Sequence, residues 1–149
     1  MSTQASFTST EWLTLQFTPL WVFSAVAAAD RNIDKKEIEA LAKELQEAIL
    51  YKEPLVRDVL VSVATDFSNI MSQYKTDPRN VTTGLQDVAD LLDKKVTPQQ
   101  AQNFKRAMLL IGRNVAEASG GGLLGMGKKM SDEETAALTL AAVALRVSL

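Results

Sequence analysis

Apolar residues recur every three to four positions along almost the whole chain, and nowhere do they alternate with period two for long enough to make a strand. From Glu53 to Tyr74 the stripe is Val56, Val59, Leu60, Val63, Phe67, Ile70, Met71 and Tyr74, the spacing of the core-facing side of an α-helix. This restricts the chain to an all-α fold, in which helices bury their stripes against one another. At 149 residues the chain is a single domain by length, and it can bury roughly 70% of its unfolded surface in one core.

Start and stop signals divide the pattern into six or seven helices. A first helical stretch covers about Thr10 to Ala29, with Thr18 and Pro19 offering a restart as N-cap and first-turn proline, and with Trp12, Trp21 and Phe23 as core contacts. Asp34 and Glu37 form a capping-box-like pair that opens a helix to about Ile49, with Ile38, Leu41, Ala42, Leu45 and Ile49 on one face. Pro54 opens a long helix that runs to Tyr74. Beyond the polar break at Thr76 to Asn80, Val81, Leu85, Val88, Leu91 and Leu92 mark the next helix. Thr97 and Pro98 then open one that carries Phe104, Met108, Ile111 and Val115 to about Ala118. The last begins at Ser131, boxed by Glu134, and its small residues Ala136, Ala137, Ala141, Ala142 and Ala144 invite close packing. Residues 1–8 are expected to be a flexible N-terminal segment and 119–130 a glycine-rich loop. The expected architecture is a compact single-domain helical bundle.

Charge and composition exclude several functions. The net charge is −2, from 16 basic and 18 acidic residues spread along the chain, which leaves no basic footprint for a nucleic-acid backbone. With neither Cys nor His, disulfides, thiolate chemistry, Ser-His-Asp triads and the usual zinc or copper sites are excluded. Any metal must be a hard cation held by oxygen. The uncharged run from Trp12 to Ala29 holds too many Thr, Gln, Ser and Pro residues for a membrane span, and no basic signal region precedes it. A cytoplasmic protein is expected.

Carboxylates gather at a fixed spacing in one device that occurs twice. The first copy runs from Ala27 through Asp30, Ile33, Asp34 and Glu37 to Leu41, and the second from Glu117 and Ser119, across a glycine-rich insertion, to Met130, Ser131, Glu134 and Leu138. Two copies suggest an internal duplication. Asp30, Asp34, Glu37, Glu117 and Glu134 are therefore candidate ligands for a divalent cation such as calcium, magnesium or manganese, provided that the two copies meet across the core. Acidic residues at a helix start are equally explained by capping and the helix dipole. The first copy is not an EF-hand. Asp30, Asn32 and Asp34 match its first ligands, but Lys35 stands at the glycine turn and Leu41 at the closing glutamate.

The insertion, Gly120 to Lys129, has the glycine and lysine spacing of a phosphate-binding loop from Gly122 to Lys128. Lys129 replaces the magnesium-holding Ser or Thr, and a helix precedes the loop where a strand is required. It reads as a surface loop whose Leu123, Leu124 and Met126 cover the core or meet a partner protein or membrane surface, with Lys128 and Lys129 facing anionic groups. Asp87, Asp90 and Asp93, and Lys105 with Arg106, read as solvated faces. Paired carboxylates alone make an enzyme only where two face each other with separated pKa values, so no catalytic activity is expected.

This twinned pattern resembles the TerB-like family of tellurite-resistance and stress-response proteins. Ala28-Ala29-Asp30 followed by Ile33-Asp34-Lys35-Lys36-Glu37 matches that family's helix end and acidic helix start, with Arg31 in the usual glycine place. The second copy keeps Gly120 and Ser131 to Glu134 but has Ser119 where the family has Asp, and Ala136 to Leu145 looks like the family's final helix. The resemblance implies a pseudo-duplicated, all-helical and non-enzymatic domain. It further implies that carboxylates, here Asp30, Asp34, Glu37 and Glu134, bind a divalent metal. Its partners would be other proteins of a stress-response complex, with peripheral membrane association. A chain without cysteine cannot itself trap tellurite through thiolate.

Overall fold

In a computed structural model of the protein, which describes residues 3–29, 35–120 and 132–148, the period of three to four becomes seven α-helices and no strand among those residues. They are α1 (Ser9–Ala29), α2 (Lys35–Gln46), α3 (Pro54–Thr65), α4 (Phe67–Thr76), α5 (Val81–Lys95), α6 (Pro98–Gly120) and α7 (Asp132–Leu145). Short 3₁₀ turns precede α1 at Thr3–Ser6 and follow α2 at Glu47–Leu50. The fold is compact and all-α, as expected. No helix among the described residues is long and apolar enough to cross a membrane.

Helix starts follow the local chemistry. Thr8 and Glu11 close a reciprocal capping box on α1, with Thr8 N–H donating to Glu11 Oε1 at 2.8 Å and Glu11 N–H to Thr8 Oγ1 at 3.1 Å. Thr97 and Gln100 do the same for α6, at 3.1 and 3.2 Å. Asn80 Oδ1 accepts from Thr83 N–H at 2.8 Å to cap α5. Pro54 and Pro98 occupy the first positions of α3 and α6, where a missing N–H costs nothing.

The core is built around α1. Trp12, Leu15, Phe17, Leu20, Trp21, Val22, Phe23 and Val26 are all buried. They point in every direction around the helix, which is therefore enclosed rather than laid on a surface. It touches α5, α6 and α7, and also α3 and α4. Two glycines set how closely. A Cβ built on Gly84 of α5 collides with the indole of Trp21, and one on Gly112 of α6 collides with Cγ1 of Val22.

Three details of the sequence reading change. Pro19 lies inside a continuous α1, because burial on all sides outweighs the roughly 3 kcal/mol that an internal proline costs. The helix expected from Pro54 to Tyr74 is broken at Asp66, whose φ of −125° and ψ of 37° leave the helical region. Neither Pro nor Gly marks that break. Ser62 and Thr65 hydroxyls donate back to the carbonyls of Val59 and Val61 at 2.7 and 2.8 Å, a habit that bends helices. Ile49 was expected on the buried face, but it falls in the tighter 3₁₀ turn and is 72% exposed while Ala48 is buried.

Gly84→Ala is a direct check on this packing. At an open helix site the change would stabilise by about 0.5–1 kcal/mol. Here the crowding against Trp21 is expected to reverse the sign and cost about 1–3 kcal/mol, read as a lower urea midpoint with an unchanged slope.

Candidate functional site

Among the described residues a sheltered pocket lies beside α4, lined also by α1 and by Leu41 of α2. It has a volume of about 340 Å³, within the range of small-molecule sites. Its floor is Leu20, Phe23 and Leu41, all buried, and Phe67 and Met71 of α4 form a half-buried wall. These side chains converge because the α4 stripe Phe67, Ile70, Met71 and Tyr74 keeps the three-to-four spacing after the break at Asp66.

Two hydroxyls sit in this apolar surrounding. Ser24 Oγ and Tyr74 Oη are 2.8 Å apart, and Tyr74 Oη also donates to the Leu20 carbonyl at the long distance of 3.4 Å. Burial first, and the charge of Asp77 in addition, push the Tyr74 phenol up, against the opposing hydrogen bond from Ser24. Tyr74 is therefore a proton-bearing donor at neutral pH. Lys75 lines the exposed edge of the same pocket. Among the described residues no carboxylate lies within ion-pair distance of it.

The ring of Tyr74 belongs to an aromatic cluster. Its centroid is 5.5 Å from Phe17 and 6.2 Å from Trp21, and Phe17 and Trp21 are themselves 5.5 Å apart, all edge to face. Arg79 closes this cluster on the outside, its Cζ 4.8 Å from the Trp21 ring centroid. Its guanidinium forks onto Asp77, with Nε to Oδ1 and Nη2 to Oδ2 both at 2.9 Å. It also reaches Asp87 at 3.1 Å and Thr14 at 3.2 Å through Nη1. These hydrogen bonds from Arg79 hold the Asp77 carboxyl below the usual carboxylate range. The segment that reads as a polar break is thus a clamp that fixes the end of α4 against α1.

A larger hollow of about 590 Å³ beside α1 and α3 is shallow and includes Gln16, Arg57 and Asp58 in its lining. Trp12 lines it too, and its indole Nε1 is buried without an acceptor among the described residues. That nitrogen has no exposed surface, so a molecule lying in the hollow does not reach it. The α1–α2–α4 pocket, more sheltered and mainly apolar, is the better candidate.

Of the expected cation ligands, Asp30 and Asp34 lie outside the described residues, as does the side chain of Glu37. Glu117 is half-buried on α6 and accepts from Arg113 Nε at 3.0 Å. Glu134 is 1% exposed in the first turn of α7. Among the described residues no group of three acidic side chains could hold a metal ion. Leu123, Leu124, Met126, Lys128 and Lys129 also lie outside the described residues.

Of the charged groups read as solvated faces, Arg106, Asp90 and Asp93 are exposed and Asp87 is half-buried, the three aspartates with ion-pair partners, whereas Lys105 is buried. Lys105 is 2% exposed, with its Nζ 3.1 Å from Asp93 Oδ1. Burial pushes Asp93 up, but hydrogen bonds from Lys105 and Arg146 outweigh it and hold the carboxyl below its usual range. Arg146 Nη2 bridges Asp90 at 2.8 Å and Asp93 at 2.9 Å.

Comparison with known proteins places the chain among relatives. It is 30% identical over 124 residues to the uncharacterized protein ORF11' of Methanothermobacter thermautotrophicus, an alignment that spans 81% of this chain and 82% of that one. The chain belongs to the family of ORF11'. No family model matches it, and no solved structure does. Members of the ORF11' family are thus to be read from their own side chains, and in this one Tyr74, Ser24 and Arg79 are the residues that sequence reasoning passed over. Their signal was weak: a Tyr at the end of an apolar stripe and one Arg in a five-residue break.

The Arg79 clamp has a pH signature. A carboxylate whose folded pKa lies below its unfolded value stabilises fully above the unfolded pKa and loses that stabilisation as pH falls through the folded one. Asp77→Asn is therefore expected to lower stability by about 1–2 kcal/mol at pH 7. The gap to the parent protein should close as pH falls below about 4, followed by chemical denaturation across pH 2–7.

Proposed function

We propose that this member of the ORF11' family is a helical binding module that holds a small, mainly apolar molecule in the α1–α2–α4 pocket. The observation that carries this reading is the sheltered 340 Å³ pocket with five apolar side chains, Leu20, Phe23, Leu41, Phe67 and Met71, around a single hydroxyl pair. Few polar groups in an apolar wall orient a ligand without driving a reaction. Among the described lining residues no carboxylate stands ready to take a proton from Ser24, and the chain has no His. Binding, rather than catalysis, is what such a constellation supports.

A saturable, one-to-one fluorescence rise is expected with N-phenylnaphthylamine, a neutral apolar dye. Met71→Trp, which fills the pocket from its half-buried wall, should abolish that rise while circular dichroism shows unchanged helicity. Dye binding that ignores this substitution, or no saturable binding, overturns the reading.

The TerB-like resemblance supports the same broad class, a non-enzymatic stress-response module acting with protein partners. A divalent cation at the acidic helix starts is a second reading, carried by the repeated spacing of Asp30, Asp34, Glu37, Glu117 and Glu134 in the sequence. Calorimetric titration with calcium, magnesium and manganese should then show binding below millimolar concentration that Asp30→Ala weakens at least tenfold. No heat at millimolar cation, or full binding by the variant, sinks the second reading.

A further inference from the structure

We infer that the pocket's ligand is a single-chain carboxylate amphiphile of medium length, a fatty-acid-like anion with its tail inside and its head at the Tyr74–Lys75 edge. The inference rests on the pocket reading above and adds the ligand's chemistry.

Volume sets the tail. A cavity of about 150 Å³ holds one benzene; in proportion, the 340 Å³ here holds roughly 14 non-hydrogen atoms. That matches a saturated chain of roughly 10–14 carbons. The apolar walls come from three helices, and the thioether of Met71 in the α4 wall adapts to a flexible chain.

Charge and hydrogen bonding set the head. Tyr74 keeps its proton, and its 3.4 Å bond to the Leu20 carbonyl is long enough to be exchanged for a shorter one to a carboxylate. Ser24, 2.8 Å away, holds the phenol oxygen in place. Lys75, the next residue on α4, brings an ammonium to the pocket edge. Asp77, the nearby acid that would repel an anion, is neutralised by the two-pronged contact from Arg79 at 2.9 Å. A tail pocket with one retained hydroxyl donor and one cation at its edge complements a carboxylate better than an alcohol or an amine.

The test uses the full chain and displacement of N-phenylnaphthylamine by dodecanoate and by dodecan-1-ol, two molecules of one tail length and different heads. Dodecanoate is expected to half-displace the dye at about tenfold lower concentration than dodecanol, the worth of about one charge-assisted hydrogen bond. Lys75→Ala, an exposed change, should erase that preference by weakening dodecanoate about tenfold more than dodecanol. Tyr74→Phe, which keeps the ring, should weaken dodecanoate more than dodecanol. If the dye binds and is displaced equally by both molecules, or if Lys75→Ala leaves the preference intact, the anionic head is overturned and the apolar pocket stands. If the dye does not bind in the pocket, both readings fall.

Discussion

Everything else in the structure depends on the close approach of α1 to α5 and α6. Trp21 and Val22 are neighbours in sequence, so they leave α1 about 100° apart. One enters the notch at Gly84 of α5 and the other the notch at Gly112 of α6. Two consecutive side chains thereby seat two partner helices on adjacent sides of one buried axis, and α7 packs against all three. Trp21 then reaches outward to Phe17, Tyr74 and Arg79. The position of α4, and with it the hydroxyl end of the pocket, is inherited from the same contact.

Around this core the carboxylates of α5 act as a collecting strip. Asp87, Asp90 and Asp93 follow one another every three residues and receive Arg79 from the preceding loop, Arg146 from the end of α7 and Lys105 from α6. The exposed pairs contribute little each, but Lys105 is different because its ammonium is fully covered and must be matched where it lies. Arg146 has a φ of 60°, a conformation that costs an L-residue roughly 1–2 kcal/mol. Its N–H and that of Val147 bond back to the carbonyls of Val143 and Ala142, both at 3.0 Å, the helix-ending arrangement in which glycine is usual. Its side chain ends on two carboxylates, Asp90 and Asp93, at 2.8 and 2.9 Å.

The helices were legible because their apolar stripes are local. Val56, Val59, Leu60 and Val63, and likewise Leu85, Val88 and Leu92, are buried as their spacing implies, and Thr97 caps α6 just before Pro98, where the helix start was read. Other misjudged details depend on neighbours remote in sequence. Pro19 is tolerated because of what surrounds α1. The buried state of Lys105 is set by how α6 meets α5, and on its own sequence it looks like any surface lysine. The pocket was illegible for the same reason: Ser24 and Tyr74 are 50 positions apart, and nothing near either residue marks it as part of a pair. The acidic helix starts, conspicuous as a repeat, depend on Asp30 and Asp34, which lie outside the described residues.

The enclosure of α1 also has a temporal side. During synthesis this helix leaves the ribosome well before α5, α6 and α7, which cover it and begin at residues 81, 98 and 132. Its apolar surface stays uncovered until most of the chain exists. Early pairing with α3 and α4 covers only part of it, so the remaining face is open to non-native association in the interval. The element that organises the finished molecule is thus covered by helices made well after it, and the sequence separation of its contacts slows the final docking step relative to a bundle of nearest neighbours.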